Sequence, residues 1–548
     1  MMKKFLGVIS VLFLAVGMSY GQAITANAGS IQGTLTDPTG AVIPNANITV
    51  TGMDTGSVVN LSSNSAGFYS IGPLNPGNYI IDIIAPGFQK LEVKTVVRTG
   101  TATSGNFKLT VGQSNETIEV DAGAVQINTE QAGVSGVITQ KQFDSLPVNG
   151  RNFLDFAQIQ PGVQLQPGGY ADGGFDPTKA GYSALSFSGI SGRTTRIQLD
   201  GQDITDETVG TTIFNVSQGS VGEMQVNRAT SDVSTDITSS GSVLASTRSG
   251  TNSFHGQLFY AFQDYRAGFA TILGIDPPFQ RNQFGGSVGG PILKDKLFFF
   301  ANSERLKQDT SSASGVSTGV GSFFSAIAQQ YPQIGSPARD TYSAGRIDYN
   351  GPKSTHFFFR INYEANSFVT GDNYSIYANR DNVPGFAGGA DFTTGRMTHS
   401  FRGSYEKFHN MIADATAGSS SIYNPIPGFS IIFGAQGLHT GVNDNAPQVT
   451  FQSDKQLRYD GSWSRGRHQI RFGASLNRIL GGGLASFFGL GPMAGISTST
   501  LLPGGDQTDP INGYRARYVY IGNGQGYASE KAGFGLPGGG QGDWRTGV

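Results

Sequence analysis

The stretch SFSGISGRTTRIQLDG, residues 186–201, decides how this chain is read. It is polar and glycine-rich, and Ile197 and Leu199 alternate with polar neighbours before the pair Asp200 and Gly201, which reads as a short strand entering a tight turn. Short, turn-punctuated β runs precede it, and longer alternating strands follow it. A compact polar domain between those two kinds of sequence is the element around which the remainder is arranged.

Length and composition bound the alternatives. A chain of 548 residues exceeds what one hydrophobic core serves, so several domains are expected. Its 37 Lys+Arg and 39 Asp+Glu nearly balance, leaving no electrostatic footprint for nucleic acid. Its 79 Gly, with abundant Phe and Tyr, suit turn-dense β structure with aromatic strands. The absence of Cys removes disulfides, thiolate nucleophiles, Cys-ligated metals and a lipid-modified N-terminal Cys together. At the N-terminus, Lys3 and Lys4 precede an apolar core over 5–18 and then small residues. This pattern predicts a secretory signal over 1–23, or to 28 if cleavage uses the AxA of Ala26 and Ala28, because the apolar run is shorter than the ~18–20 residues of a spanning helix.

Residues 30–111 contain short Val-, Ile-, Tyr- and Thr-rich runs separated by DPTG, NSAG, NPGN and APG, which predicts about seven strands in a small β-sandwich. Ile48 with Val50, and Ile81 with Ile83, should share buried faces, with Asp82 pointing away. The motifs over 33–50 and 67–79, with Gly87 and Phe88, resemble the carboxypeptidase regulatory-like family. The segment has no His and no metal-ligand cluster, so the resemblance implies no peptidase activity. A stable spacer and a module that binds an envelope partner both stay open.

Residues 112–137 have little apolar mass and are expected to form an exposed linker. Within them Glu116, Thr117, Ile118, Glu119 and Val120 resemble a TonB box, the segment through which energised receptors engage TonB; an extended peptide of this kind can add a strand to a partner's sheet. The last strand of the preceding sandwich is the competing reading of the same residues. Over 138–157 a helical pattern is broken by Pro147, turns at Asn149 and Gly150, and resumes, with Phe143, Leu146, Phe153, Leu154 and Phe156 offered as core. The string Leu146, Pro147, Val148, Asn149, Gly150, Arg151, Asn152, Phe153, together with residues 186–206, resembles the plug of TonB-dependent receptors of the large Oar-like branch. The plug is expected over 138–250. Gly189, Arg193, Arg196, Asp200 and Gly201 match its central motif, although Ser188 stands where many plugs have Arg, which weakens a ligand role there. For Arg193, Arg196, Asp200, Asp203, Asp206 and Arg228, ion pairing between plug and barrel wall is the expected role. Asp200, Asp203 and Asp206 do not have the spacing of an EF-hand loop.

From residue 252 onward the period lengthens. In HFFFRINYEA, residues 356–365, Phe357, Phe359, Ile361 and Tyr363 oppose Phe358, Arg360, Asn362 and Glu364; residues 468–478 behave alike. Apolar-out, polar-in alternation with tight turns such as PILKDK and GPKS between longer loops predicts an antiparallel transmembrane β-barrel. The parity of long loops and tight turns requires one further strand, expected between residues 410 and 437. Gly285, Ser287 and Gly289 form a GxSxG inside a strand, not a nucleophile elbow, and Gly533, Gly535 and Gly538 lack the strand and helix of a dinucleotide site. The six His show no zinc spacing.

The expectation is thus a mainly β chain: N-terminal β-sandwich, α+β plug domain, then part of an antiparallel transmembrane β-barrel over 252–548. About nine strands are read, against ~22 in a plugged outer-membrane transporter, so the barrel is expected to be incomplete. The resemblance implies no enzyme activity and no cofactor. It implies a receptor in the outer membrane of a Gram-negative-type bacterium, with its N-terminal domains on the periplasmic side. Its partners would be the TonB complex of the inner membrane, outer-membrane lipid and an unidentified extracellular ligand, with no nucleic acid. A non-transporting adhesin or envelope scaffold, and a secreted carbohydrate-binding β-protein, are the alternatives.

Overall fold

The computed structural model describes residues 28–112, 117–121, 135–146, 148, 151–167, 182–206, 210–228, 235, 238–267, 279–316, 322–352, 354–395, 397–416, 422–425, 430–433, 438–443, 445–465, 468–485, 492–496 and 520–521. The expected signal segment, Glu116, Pro147, Asn149, Gly150 and the glycines at 533, 535 and 538 lie outside the described residues.

The N-terminal domain is a two-sheet sandwich. One sheet pairs β1 (Gly29–Thr36) with β4 (Phe68–Leu74) on one side and with β7 (Ala102–Ser104) and β8 (Phe107–Lys108) on the other. The second contains β2 (Asn47–Gly52), β3 (Val58–Ser62), β5 (Gly77–Ile84), β6 (Lys90–Val97) and β9 (Thr117–Asp121), in the order β3-β2-β5-β6-β9. Period-two alternation buries Ile48, Val50, Ile81 and Ile83 against Ile31, Leu35 and Ile71, while Asp82 turns outward to an ion pair with Lys90. The strand count exceeds the seven expected, and the expected linker 112–137 is in part a strand. Thr117–Asp121 pairs in parallel with β6, the β-branched run Thr117, Ile118 and Val120 having found a free sheet edge.

The central domain is built on a five-stranded sheet: β10 (Ser135–Ile138), β15 (Val221–Asn227), β16 (Ser242–Thr247), β13 (Arg196–Leu199) and β14 (Gln202–Asp203), in that order. A hairpin of β11 (Val163–Pro167) and β12 (Ser183–Phe187) packs beside it. Helix α1 (Gln140–Ser145) starts at a capping box between Thr139 and Gln142 and stops at Leu146, whose backbone is extended. The helical pattern resumes as a 3₁₀ helix, Phe153–Ile159, capped by the Asn152 side chain on the Leu154 amide. Phe143, Phe153, Leu154 and Phe156 are fully buried, whereas Leu146, expected in the core, is 39% exposed because the chain leaves the helix there.

The third part is a nine-stranded antiparallel sheet in which each strand pairs with the next: β17 (His255–Asp264), β18 (Gln280–Leu293), β19 (Leu297–Asp309), β22 (Ala338–Asn350), β23 (His356–Asp372), β24 (Ser375–Thr394), β25 (Met397–Asp414), β28 (Gln448–Arg465) and β29 (His468–Ala485). Between β19 and β22 lie a small hairpin, β20 (Ser311–Ala313) with β21 (Gln333–Gly335), and helix α2 (Ser322–Gln330). Among the described residues β17 and β29 do not pair, so the wall is an open part of a barrel. Phe357, Phe359, Ile361 and Tyr363 point outward and exposed, while Phe358, Arg360, Asn362 and Glu364 point into the lumen and are buried under the plug. The formal GxSxG of Gly285, Ser287 and Gly289 lies within β18, paired on both sides.

The strand that restores parity is β24, not one between 410 and 437. A strand does form there, β26 (Ser430–Phe433), but it joins β27 (Leu438–Gly441), β30 (Pro492–Ile496) and β31 (Tyr520–Ile521) in a separate sheet at the long-loop end. β24 is hidden in the sequence by Pro384 and three glycines. Two of these have a spatial reason: a Cβ on Gly385 would stand 1.7 Å from the Glu406 carboxylate, and one on Gly389 would stand 2.6 Å from both Phe358 and Arg402.

The outward stripe should face lipid. In a chain without native cysteine, a fluorophore on Ile361→Cys or Leu476→Cys should be quenched several-fold by brominated lipid in vesicles, and one on Asn362→Cys should not; equal quenching at the three positions would contradict the assignment of faces.

Candidate functional site

The centre of the opening stretch is a hairpin, β13 to β14, closed by only Asp200 and Gly201, with φ of 53° and 82°. Two residues at positive φ match the right-handed twist of the flanking strands, and Asp-Gly is the pair that adopts them most readily. A second two-residue turn of the same kind, Ser188 (φ 53°) and Gly189 (φ 83°), closes the bridge between Phe187 and Ile190. Glycine is needed at both second positions.

The first turn delivers Asp200 to the barrel wall. Its carboxylate accepts from the Thr247 amide (2.9 Å) and hydroxyl (2.8 Å) within the plug, and from Arg346 Nη1 of β22 (2.9 Å). Arg360 Nε of β23 lies 3.4 Å from its other oxygen. Asp200 is 1% exposed and Arg360 0%. Isolated ions could not be held at such depth, and here each charge meets an opposite one.

The pairing continues along the lumen face. Arg346 also binds Asp348 (2.8 Å), which lies 3.0 Å from His356 Nε2; His356 Nδ1 lies 3.6 Å from Asp391, and Asp391 accepts from Arg402 (2.8 Å). The guanidinium groups of Arg346 and Arg402 lie 4.6 and 5.1 Å from the centre of the Phe358 ring. Gln202 takes a hydrogen bond from Arg360 and gives one to Glu406 (2.7 Å), and Gln456 both donates to the Asp203 carbonyl (2.6 Å) and accepts from its amide (3.0 Å).

A second seat lies beside the first. Arg151, itself at φ 58°, pairs with Glu304 (3.1 Å) and covers the Phe259 ring at 3.9 Å. Asn215 donates its amide (2.6 Å) and side chain (3.3 Å) to Glu364, and Ser217 donates to Asn302 (2.7 Å). What this surface supplies is a polar seat that holds one domain inside another.

Of the plug residues expected to pair with the wall, Asp200 does so. Arg196 instead binds Asp203 within the plug (3.4 Å), Arg228 donates to the Pro161 carbonyl (2.9 Å), and Arg193 is exposed on the 3₁₀ turn Gly192–Thr194. Asp206 is buried, its carbonyl accepting from Gly210. Of the wall residues, Arg360 and Glu364 are legible in the sequence only as members of an inward face, and Glu304, Arg346 and Glu406 are not singled out there. Their signal is a mostly polar or charged residue at every second position opposite an apolar stripe, which marks a lumen face without naming a partner.

The N-terminal domain adds a third contact. Arg98 (2.9 Å) and the Thr99 amide (2.6 Å) donate to Glu223 of β15, and the Thr99 and Ser246 hydroxyls lie 3.0 Å apart. Burial pushes the Glu223 carboxyl upward, against the pull of Thr99 and Arg98. The domain also reaches the tight-turn end of the wall, where Ser354 donates to the Val58 carbonyl (3.3 Å). Between domain, plug and wall lies a cleft of about 1070 Å³, with Asp54, Arg98, Glu223, Arg248, Arg346 and His356 among its lining.

The carboxypeptidase regulatory-like domain family matches residues 30–130, and the outer membrane beta barrel domain family matches 246–322. The TonB-dependent transporter Oar of Myxococcus xanthus is 26% identical over 320 residues, which is 53% of this chain and 28% of that protein. The chain therefore spans much less than two thirds of this relative's length. Among solved structures, the outer membrane transporter YddB of Escherichia coli is 13% identical with a TM-score of 0.49, over 66% of this chain and 50% of that one. The siderophore receptor PirA of Acinetobacter baumannii is 15% identical with a TM-score of 0.43, over 64% and 48%. The sequence matches carry the resemblance to the Oar-like branch of TonB-dependent receptors, with its regulatory-like domain and part of an outer-membrane barrel, and the chain's place is the outer membrane.

Asp200→Ala should destabilise the seated plug by about 3–5 kcal/mol, because it leaves Arg360 buried beside no carboxylate of the plug. Thermal unfolding in detergent and protease resistance of the plug read this loss, and a change below ~1 kcal/mol would contradict it.

Asp155, on the first turn of the 3₁₀ helix, has its carboxyl lifted to about 6 by burial. A raised acid favours the protonated fold, so stability should rise as pH falls from above about 6 towards 4 and then level off. Asp155→Asn should remove that dependence, gaining about 1–2 kcal/mol at pH 7.5 after allowance for screening and nothing below pH 4, read as unfolding midpoints across pH.

Proposed function

We propose that this Oar-like outer-membrane protein works as a TonB-dependent receptor that takes up an extracellular ligand by movement of its plug. The observation that supports this reading best is the nature of the seat. The plug meets the wall through Asp200, Arg151, Gln202 and Asn215 on charged or polar wall groups, with an apolar contact beside them where Val383 and Phe408 join the plug's core, the Phe408 ring 6.1 Å from that of Tyr182. The polar part of such an interface can be rehydrated and repaired in another register, so a domain held largely this way can be remodelled at the cost of exposing only a limited apolar contact. An apolar interface of equal area would hold the plug permanently.

In this reading the tight-turn end and the N-terminal domain face the periplasm, and the long-loop end offers the ligand-binding surface. The segment of Glu116, Thr117, Ile118, Glu119 and Val120 is the TonB box. TonB would pull on it, and the pull would reach the plug through the chain that leads into β10. The plug motif residues act as structural turns and seat contacts, not as catalytic groups.

The test is capture of the detergent-solubilised full-length receptor by the immobilised periplasmic domain of TonB. Deleting residues 116–120 should reduce capture at least tenfold while the protein still fractionates with the outer membrane. A non-transporting adhesin or envelope scaffold would show no capture of the unaltered protein, and unchanged capture after the deletion would remove the box assignment.

A further inference from the structure

Four of the five residues assigned to the box lie in β9, and β9 is already paired. It runs parallel to β6 in the register Lys90 with Thr117, Glu92 with Glu119 and Lys94 with Asp121. The opposite side of β6 is taken by β5, so β9 occupies the remaining edge of that strand and, among the described residues, is itself the outermost strand of the sheet. The strand that holds it is also the strand fastened to the plug: Arg98 and Thr99, which bind Glu223 of β15, follow directly on β6.

We propose that the regulatory-like domain stores the TonB-engaging segment, keeping Thr117–Asp121 as an edge strand on β6 until a partner draws it off. The inference rests on the TonB-box reading above and gives the regulatory-like domain a role that the spacer reading does not. Such storage is reversible by construction. A five-residue edge strand has a single neighbour, and parallel pairing is slightly weaker per residue than antiparallel pairing. Its backbone groups facing β6 are the ones a partner's sheet would take over, so exchange replaces one set of main-chain hydrogen bonds with another. Because β6 is held to the plug through Glu223, a pull along β9 peels the strand from its neighbour instead of carrying the whole sandwich away.

The absence of cysteine from this chain allows a direct test by engineered disulfides. Glu92→Cys with Glu119→Cys, and separately Lys94→Cys with Asp121→Cys, place thiols at register partners, within reach of a disulfide. Both pairs should crosslink in outer membranes well above the control Glu92→Cys with Thr117→Cys, which is two residues out of register. The oxidised proteins should lose at least nine-tenths of their capture by the TonB periplasmic domain, and dithiothreitol should restore it. Crosslinking no better than the control, or capture that oxidation leaves unchanged, would overturn the storage proposal alone. Crosslinking with no capture of any form, the unaltered protein included, would instead overturn the TonB-box reading and this proposal with it.

Discussion

The Asp200 carboxylate is the contact on which the arrangement of the other parts depends. It closes a two-residue turn at the tip of the plug's sheet and fixes Thr247 behind it. It also reaches Arg346 and Arg360 on two neighbouring strands of the wall. Each of those arginines has a further partner, so one buried carboxylate links the plug to pairs extending to Asp391 and Glu406. Buried ion pairs are weak sources of net stability but strong sources of specificity, since a misplaced partner leaves a charge in low dielectric. The network therefore sets where the plug sits more than how tightly it is held.

The same strands solve two solvent problems at once. Their outward residues form an aromatic and aliphatic stripe, and their inward residues form the polar seat, with the strand's period of two keeping the sets apart. Aromatic rings also enter the inward face: Phe408 packs against Tyr182 of the plug, and Phe358 is flanked by the guanidinium groups of Arg346 and Arg402. The glycines of β24 belong to this account as well, because Gly385 leaves the space that Glu406 fills.

Beneath the plug, the N-terminal domain is joined to both other parts. Glu223 receives Arg98 and Thr99, and the tight-turn end of the wall meets the start of β3. The plug's sheet is thus joined to the regulatory-like domain at the end of β6, the strand on which Thr117–Asp121 pairs.

The sequence by itself determined the classes of element, the order of the domains and the faces of most strands, because these follow from local periodicity, turn residues and composition. Phe359 and Arg360 announce opposite faces of β23 without reference to anything else in the chain. Only the tertiary structure decided that Asp200 meets Arg346, 146 residues away, that Arg196 stays with Asp203, and that Thr117–Asp121 is a strand of the sandwich instead of a linker. It also showed β24 to be a wall strand despite its glycines and Pro384. The reason is physical: a strand's face is a property of a few neighbouring residues, whereas the partner of a buried charge, or the owner of a free sheet edge, is set by which distant strand the closed packing brings opposite.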